Sequence, residues 1–326
     1  MIKKKNYISR EIDQALSGKR LDLALADTFS EFSRSKLKKW LESNLVSVNE
    51  KVVNKPSYKV TFPAKLELII PDENLTEDLA ERLDLKIVKS TKEYIIISKE
   101  AGMVVHPGAG NKSGTLLNAL LYEYPELKKL PRAGIVHRLD KDTSGLMVVA
   151  RKESAMQSLS EQISNRSIKR IYQAFTVGKV ERSGKIEAPI GRHPKNRQKQ
   201  AIIDSGREAI SHYKVIESFG SYSHLEVSLE TGRTHQIRAH MKHIGHPIFN
   251  DKVYGGDKIL KGTVFSKYKK FVDNCFNIIP RQALHAKSLG FIHPKSNKKI
   301  NFKSSLPKDF SDVIAKWKKY TESQKD

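Results

Sequence analysis

His137-Arg138-Leu139-Asp140-Lys141-Asp142-Thr143-Ser144-Gly145 runs directly into Leu146-Met147-Val148-Val149-Ala150. Five consecutive apolar residues without helical spacing predict a strand buried on both faces. Polar residues immediately ahead of such a strand lie on a loop held by a rigid sheet, where reactive groups are best positioned. Asp140 is therefore the first candidate for chemistry. An aspartate in a glycine-terminated loop also serves as a turn former or cap, so its assignment depends on what accompanies it.

Downstream, Ala155, Met156, Leu159 and Ile163 mark an amphipathic helix, and residues 169–177 a strand containing Lys169-Arg170-Ile171-Tyr172-Gln173-Ala174. Residues 190–199 carry Arg192, Lys195, Arg197 and Lys199 without an acidic residue, and their Pro and Gly predict a loop. Leu225, Val227 and Leu229 alternate as a strand that ends at Thr231-Gly232-Arg233-Thr234-His235-Gln236-Ile237-Arg238. Thr234 is expected to cap a short helix with Ile237, Met241 and Ile244 on its core face, stopped by Gly245. That places Arg233 on a strand-to-helix corner. Asp251-Lys252-Val253-Tyr254-Gly255-Gly256 and Arg281-Gln282-Ala283-Leu284-His285-Ala286 follow, and Phe310, Val313, Ile314 and Trp317 share one face of a closing helix.

Upstream, residues 94–99 read as a strand leading to Val104-Val105-His106-Pro107-Gly108. Glycines 108, 110 and 114 lack the Lys and Ser/Thr spacing of a phosphate loop. Residues 73–85 hold five acidic groups against Arg82, a net of −4, between flanks of +5 and +22. Such a segment would repel a polyanion and suits a linker. Residues 12–72 then form a small domain, and 86–326 a large one. In the small domain Leu21, Ala24 and Leu25 predict one helix and Ser33 the N-cap of a second. Leu37, Trp40 and Leu41 of the second helix face inward, and Arg34, Lys38 and Lys39 outward. Leu45 to Val53 reads as two short strands about Asn49-Glu50, and residues 65–70 as another strand.

The central motif and Thr-Gly-Arg-Thr-His-Gln-Ile-Arg resemble the RluA-type RNA pseudouridine synthases. The upstream Val-His-Pro-Gly loop, the Tyr172 segment and the Asp251 and Arg281 segments continue that likeness, which spans about residues 12–305. The small domain resembles an S-four-type RNA-binding domain. The resemblance implies an α+β fold, mixed but mainly antiparallel, and isomerisation of uridine to pseudouridine without a cofactor, most like members acting on large-subunit ribosomal RNA. It makes Asp140 the catalytic group, Arg233 the cation holding it ionised, and Tyr172 the residue stacked on the base. Arg138, with His137 beside it, would fill the space that the everted base vacates. Aimed at RNA, the cations at 192, 195, 197 and 199 and those at 34, 38 and 39 would contact phosphates.

Composition agrees with a polyanionic partner. Lys and Arg number 59 against 36 acidic residues, a net charge of +23. An anionic membrane surface is the alternative. No apolar run approaches the roughly 18 residues of a spanning helix, and the N-terminus lacks a signal-peptide core, so a cytoplasmic protein is expected, acting as a monomer. The single cysteine, Cys275, lies among apolar residues and is read as buried. Histidines 235, 240, 243 and 246 fail metal-ligand spacing, so no metal is expected. Two other functions remain at this level: an RNA-binding ribosome-assembly factor without activity, and a nucleoside or glycoside hydrolase using Asp140 and Asp142 as a carboxylate pair.

Overall fold

The structure, a computed structural model, describes residues 7–32, 34–70, 79–108, 110–196, 198–259 and 266–324. The chain divides into two compact units, Met1–Glu77 and Asp78–Asp326.

In the first unit β1 (Tyr7–Glu11), α1 (Leu21–Thr28), α2 (Arg34–Glu42), β2 (Val46–Val48), β3 (Lys51–Val52) and β4 (Lys65–Ile69) follow in order. The sheet order is β1-β4-β2-β3, with antiparallel pairing throughout. Leu37, Trp40 and Leu41 of α2 pack against Leu21, Leu25 and Phe29 and against the inner strand residues Val46, Leu66 and Leu68. The β2–β3 turn has φ of 47° at Asn49 and 69° at Glu50, the two left-handed residues of a primed hairpin turn. Strand β1 begins ahead of the boundary at residue 12 expected from sequence. The expected cap Ser33 and the linker residues 73–78 lie outside the described residues. Residues 79–85 are hydrogen-bonded into the second unit rather than free: Asn118 donates to the Leu79 carbonyl (2.8 Å) and the Gly114 N–H to the Glu81 carboxylate (2.8 Å).

The second unit comprises β5 (Ile87–Ser90), β6 (Tyr94–Lys99), α3 (Leu116–Glu123), β7 (Ser144–Ala150), α4 (Glu153–Ser164), β8 (Lys169–Val177) and β9 (Gly184–Glu187). It continues with β10 (Ile190–Arg192), β11 (Gln200–Ile202), β12 (Ile210–Ser218), β13 (Tyr222–Leu229), α5 (Gln236–His243), α6 (Ser266–Ile278), β14 (Leu284–Ile292), β15 (Lys299–Lys303) and α7 (Lys308–Glu322). One sheet runs β5-β6-β7-β14-β8-β13-β12-β9, with β15 added on β14. Among the described strands only β7 and β14 pair in parallel, so the fold is α+β and mainly antiparallel. Residues 190–199 are not a plain loop. Ile190 to Arg192 pair with Gln200 to Ile202 as a hairpin, and three residues per strand are too few to show a period in the sequence.

All seven residues of β7 are buried. Met147 and Val149 face the main core, while Leu146 and Val148 face a second one built with Ala155 and Leu159 of α4. Two cores on opposite faces of one strand explain its uninterrupted apolar run. Gly145, the second residue of that strand, has φ of 120°, and a Cβ there would lie 2.3 Å from the Ala286 carbonyl oxygen of β14. Because the obstacle is backbone, Gly145→Ala is expected to destabilise the large unit by several kcal/mol. The check is a urea titration, and a change below about 1 kcal/mol would mean that the β7–β14 contact yields easily.

His285, on β14, lies buried between the Ser144 (3.0 Å) and Ser304 (2.8 Å) hydroxyls. Burial, with Lys287 and Arg281 nearby, lowers its pKa to about 4. The unfolded imidazole, near 6.5, takes up a proton first as pH falls, so stability is complete above pH 6.5 and is lost towards pH 4. The loss from this group is expected to reach about 3 kcal/mol. In His285→Gln, denaturant midpoints should fall less steeply over that window than in the parent.

Candidate active site

Asp140 lies on the turn into β7, where the Thr143 N–H closes onto the Asp140 carbonyl (3.1 Å). Three further contacts fix this loop. The Lys99 ammonium, buried at the end of β6, donates to the carbonyls of Glu100, Met103 and Lys141 at 2.7 to 2.9 Å. Burial lowers its pKa to about 8, against the pull of Asp142 and Asp140. Arg281 donates from Nη1 to the Asp142 carbonyl (3.2 Å) and makes two bonds to Asp309 at the start of α7 (2.8 and 3.0 Å). His137 Nε2 accepts the Val148 N–H (3.0 Å).

A cavity of about 690 Å³ opens over the loop, bordered by Asp140, Arg138, His137, Tyr172, Arg170 and Arg238. That volume accommodates a nucleotide. Leu139 is buried in the main core, and Arg138 and Asp140 on either side of it both border the cavity. Leu139 borders the cavity as well, so the alternation along this segment is one of burial: exposed Arg138, buried Leu139, half-buried Asp140. Arg138 is exposed at the rim. Tyr172, on β8, is buried, and its phenol pKa is raised by that burial, so at neutral pH it presents a neutral ring. Burial lowers the His137 pKa to about 3, with Arg170 adding to the effect. With Nε2 accepting the Val148 N–H, His137 braces the loop while it borders the cavity.

The cation against Asp140 is Arg238, not Arg233 as the sequence led us to expect. Arg238 Nη1 donates to Asp140 Oδ2 (3.1 Å), while Nε and Nη2 donate to the two oxygens of Asp251 (2.7 and 2.9 Å). Its guanidinium lies over the Tyr254 ring, 5.0 Å from the centroid. Burial works against the Arg238 charge, but its bonds to Asp251 and then Asp140 outweigh this and hold its pKa above the ordinary arginine value. Arg233 instead donates from Nε to the Glu208 carbonyl (3.0 Å) while bordering the cavity. The difference comes from the start of α5. His235, at φ of 55°, is the residue before the helix, and Thr234 makes no cap. Gln236 accepts the Arg233 N–H (2.9 Å), and Arg238 falls on the helical turn that faces Asp140. His235 Nε2 is 3.9 Å from Asp140, and burial lowers its pKa.

Other expected residues lie elsewhere. Arg192, Lys195 and Lys199 belong to the β10–β11 hairpin and do not border the cavity; Arg197 lies outside the described residues. The hairpin reaches the site indirectly, because the Gln200 N–H donates to the Tyr254 hydroxyl (2.9 Å). On α2, Arg34 donates to Asp22 (3.1 Å), Lys38 lies 3.8 Å from Glu42, and Lys39 is exposed. Asp142 is not on the cavity wall, so a carboxylate pair with Asp140 is not formed there. Cys275 is buried, and burial pushes its thiol up to about 12. Among the described residues there is no cluster able to hold a metal, and no helix long and apolar enough to cross a membrane.

Residues 93–243 match the family model for RNA pseudouridylate synthase, and residues 19–63 that of the S4 domain. Ribosomal large subunit pseudouridine synthase D of Pseudomonas aeruginosa is 45% identical over 304 residues, 92% of each chain. The chain belongs to the RNA pseudouridylate synthase family. A protein of the same name from Pasteurella multocida is 43% identical over 311 residues, 94% of each chain. Human RNA pseudouridylate synthase domain containing 4 shares the fold, with a TM-score of 0.56 at 23% identity over 72% of this chain and 93% of that one. In this synthase three residues at or behind the cavity wall escaped sequence reasoning: Arg238, Asp251 and Arg170. All three stood inside motifs quoted from the sequence. A charged residue beside the apolar stripe of α5, followed by an acid 13 positions later, was the available signal.

Proposed function

We propose that the protein converts uridine to pseudouridine in large-subunit ribosomal RNA in the cytoplasm, with Asp140 as the catalytic group. The observation that carries this reading is an aspartate, 15% exposed, held by a buried guanidinium on the wall of a nucleotide-sized cavity rich in arginine. A carboxylate enclosed with a base stays anionic only if a fixed cation offsets desolvation, and Arg238 supplies one. The bond from ribose C1′ to uracil N1 breaks with its electron pair left on the base, the base turns, C5 joins C1′ and gives up its proton, and N1 takes one up, so the product is an isomer and no redox partner is required. Asp140 serves as nucleophile or proton-transfer group in these steps, and Tyr172 provides a neutral ring against which the base can turn. Everting the target costs a few kcal/mol; Arg138, exposed at the rim, is placed to stack where the base was. The names of the curated relatives support the choice of RNA.

The test is to map pseudouridines in ribosomal RNA from cells with and without the gene. Specific large-subunit positions should lose modification and regain it on complementation. An unchanged map would sink the substrate assignment, and release of free uracil by the purified protein would favour hydrolysis instead.

A further inference from the structure

Three arginines of the large unit have deeply buried side chains near the catalytic loop, and two have a carboxylate. Arg238 has Asp251 and Asp140; Arg281 has Asp309. Arg170 has none within ion-pair distance among the described residues. Its residue is 7% exposed, its Nη2 donates only to the Glu230 carbonyl (3.2 Å), and its Nε is buried without a hydrogen-bond partner. Glu230, whose carbonyl Arg170 bonds, has its carboxylate engaged by His212 (2.6 Å) and Arg166 (3.8 Å). A buried charge without a counter-ion is strongly disfavoured, and Arg170 borders the same cavity as Asp140.

We propose that Arg170 is the seat of a phosphodiester group of the bound RNA adjoining the target nucleotide. The proposal rests on the reading of the cavity as an RNA site and gives that site its anion subsite. A non-bridging oxygen pair matches the planar fork of a guanidinium. Arg132, Arg138, Arg166, Arg233 and Arg238 border the same cavity against two acids, Asp140 and Glu230, so the surrounding potential favours an anion over a neutral acceptor. Gly232 provides the room: a Cβ there would lie 2.5 Å from Arg170 Nη1. This accounts for the glycine in the Thr-Gly-Arg-Thr motif without invoking backbone conformation.

The experiment compares the full chain with Arg170→Met, which removes the charge and keeps most of the volume, and with Gly232→Ala, which crowds Nη1. Thermal midpoints are recorded in inorganic phosphate and in chloride at equal ionic strength. The parent should gain stability in phosphate, and Arg170→Met should lose that gain while being no less stable in chloride. Affinity is then measured, without turnover, for an RNA hairpin containing the target uridine, with single methylphosphonate linkages placed on either side of it. One linkage should weaken parent binding about tenfold and leave Arg170→Met unaffected, and the variant's log K against log salt should be shallower by about one phosphate. Gly232→Ala should show both effects in part, and it stands as the test if the methionine variant fails to fold. An equal phosphate gain in all three proteins, or weaker RNA binding with the salt slope and methylphosphonate response of the parent, overturns the proposal. The second result would assign Arg170 to a neutral group such as a uracil carbonyl. A hairpin that binds but is never isomerised would instead count against the proposed function and leave these binding comparisons intact.

Discussion

Asp140→Asn is expected to bind substrate RNA with the affinity of the parent while losing at least about a thousandfold in the rate of pseudouridine formation. The amide keeps the shape of the carboxylate, and the loop around it is held by groups that the change does not touch: Lys99, Arg281 and the His137–Val148 bond. Folding should therefore survive. What is lost is the basic or nucleophilic oxygen, for which an amide is no substitute. Filter binding and single-turnover conversion on the same hairpin make the comparison. Near-parental conversion by the variant would remove Asp140 from the mechanism altogether.

Arg238→Met should do damage of two kinds, because it disables the site and weakens the fold together. Asp251 is 1% exposed and its Oδ1 also accepts the N–H groups of Val253 (3.1 Å) and Tyr254 (3.2 Å). Without the guanidinium this carboxylate is buried against neutral donors alone. Breaking such a pair typically costs about 3 to 5 kcal/mol, which in a unit of this size lowers the melting midpoint by roughly 6 to 20 °C. Conversion should fall at least about a hundredfold as Asp140 loses its partner. Arg238→Lys should recover part of the stability and little of the rate, since a single ammonium cannot span two aspartates. Arg233→Met, carried alongside, should fall far less in both measures, because Arg233 is bonded to a backbone carbonyl and not to Asp140. Equal loss in the two methionine variants would restore Arg233 to the role that sequence suggested.

That exchange of arginines marks the limit of what could be read in advance. The strand at 146–150, the β8 segment with Tyr172 and the apolar faces of α2, α4 and α7 were legible because burial imposes a period on the residues that experience it. The loop carrying Asp140 was legible because charges abut a strand buried on both faces. The partner of Asp140 was not, since it depends on where α5 starts, and that start is set by the left-handed backbone of His235 and by the side chain of Gln236 rather than by a threonine cap. A shift of one residue at a helix entrance turns every side chain behind it by about 100°, enough to exchange one arginine for another five positions on. Arg170 was hidden for a different reason. Nothing in Lys169-Arg170-Ile171-Tyr172 shows that its cation would be buried without a carboxylate, because such a deficit is visible only when all neighbours are known.

The order of strands in the large sheet also constrains how the enzyme is made. β14 lies between β7 and β8, yet it is synthesised more than a hundred residues after either. While the polypeptide is emerging from the ribosome, those two earlier strands lack the element that joins them, and each leaves an unpaired apolar edge of the kind that invites aggregation. The small N-terminal unit can close during translation, with its strands complete by residue 69. The catalytic half must wait for residue 292, the end of β14, to clear the exit tunnel. Loss of the final hundred residues would therefore split the sheet at its middle, whereas loss of an edge strand would only trim it.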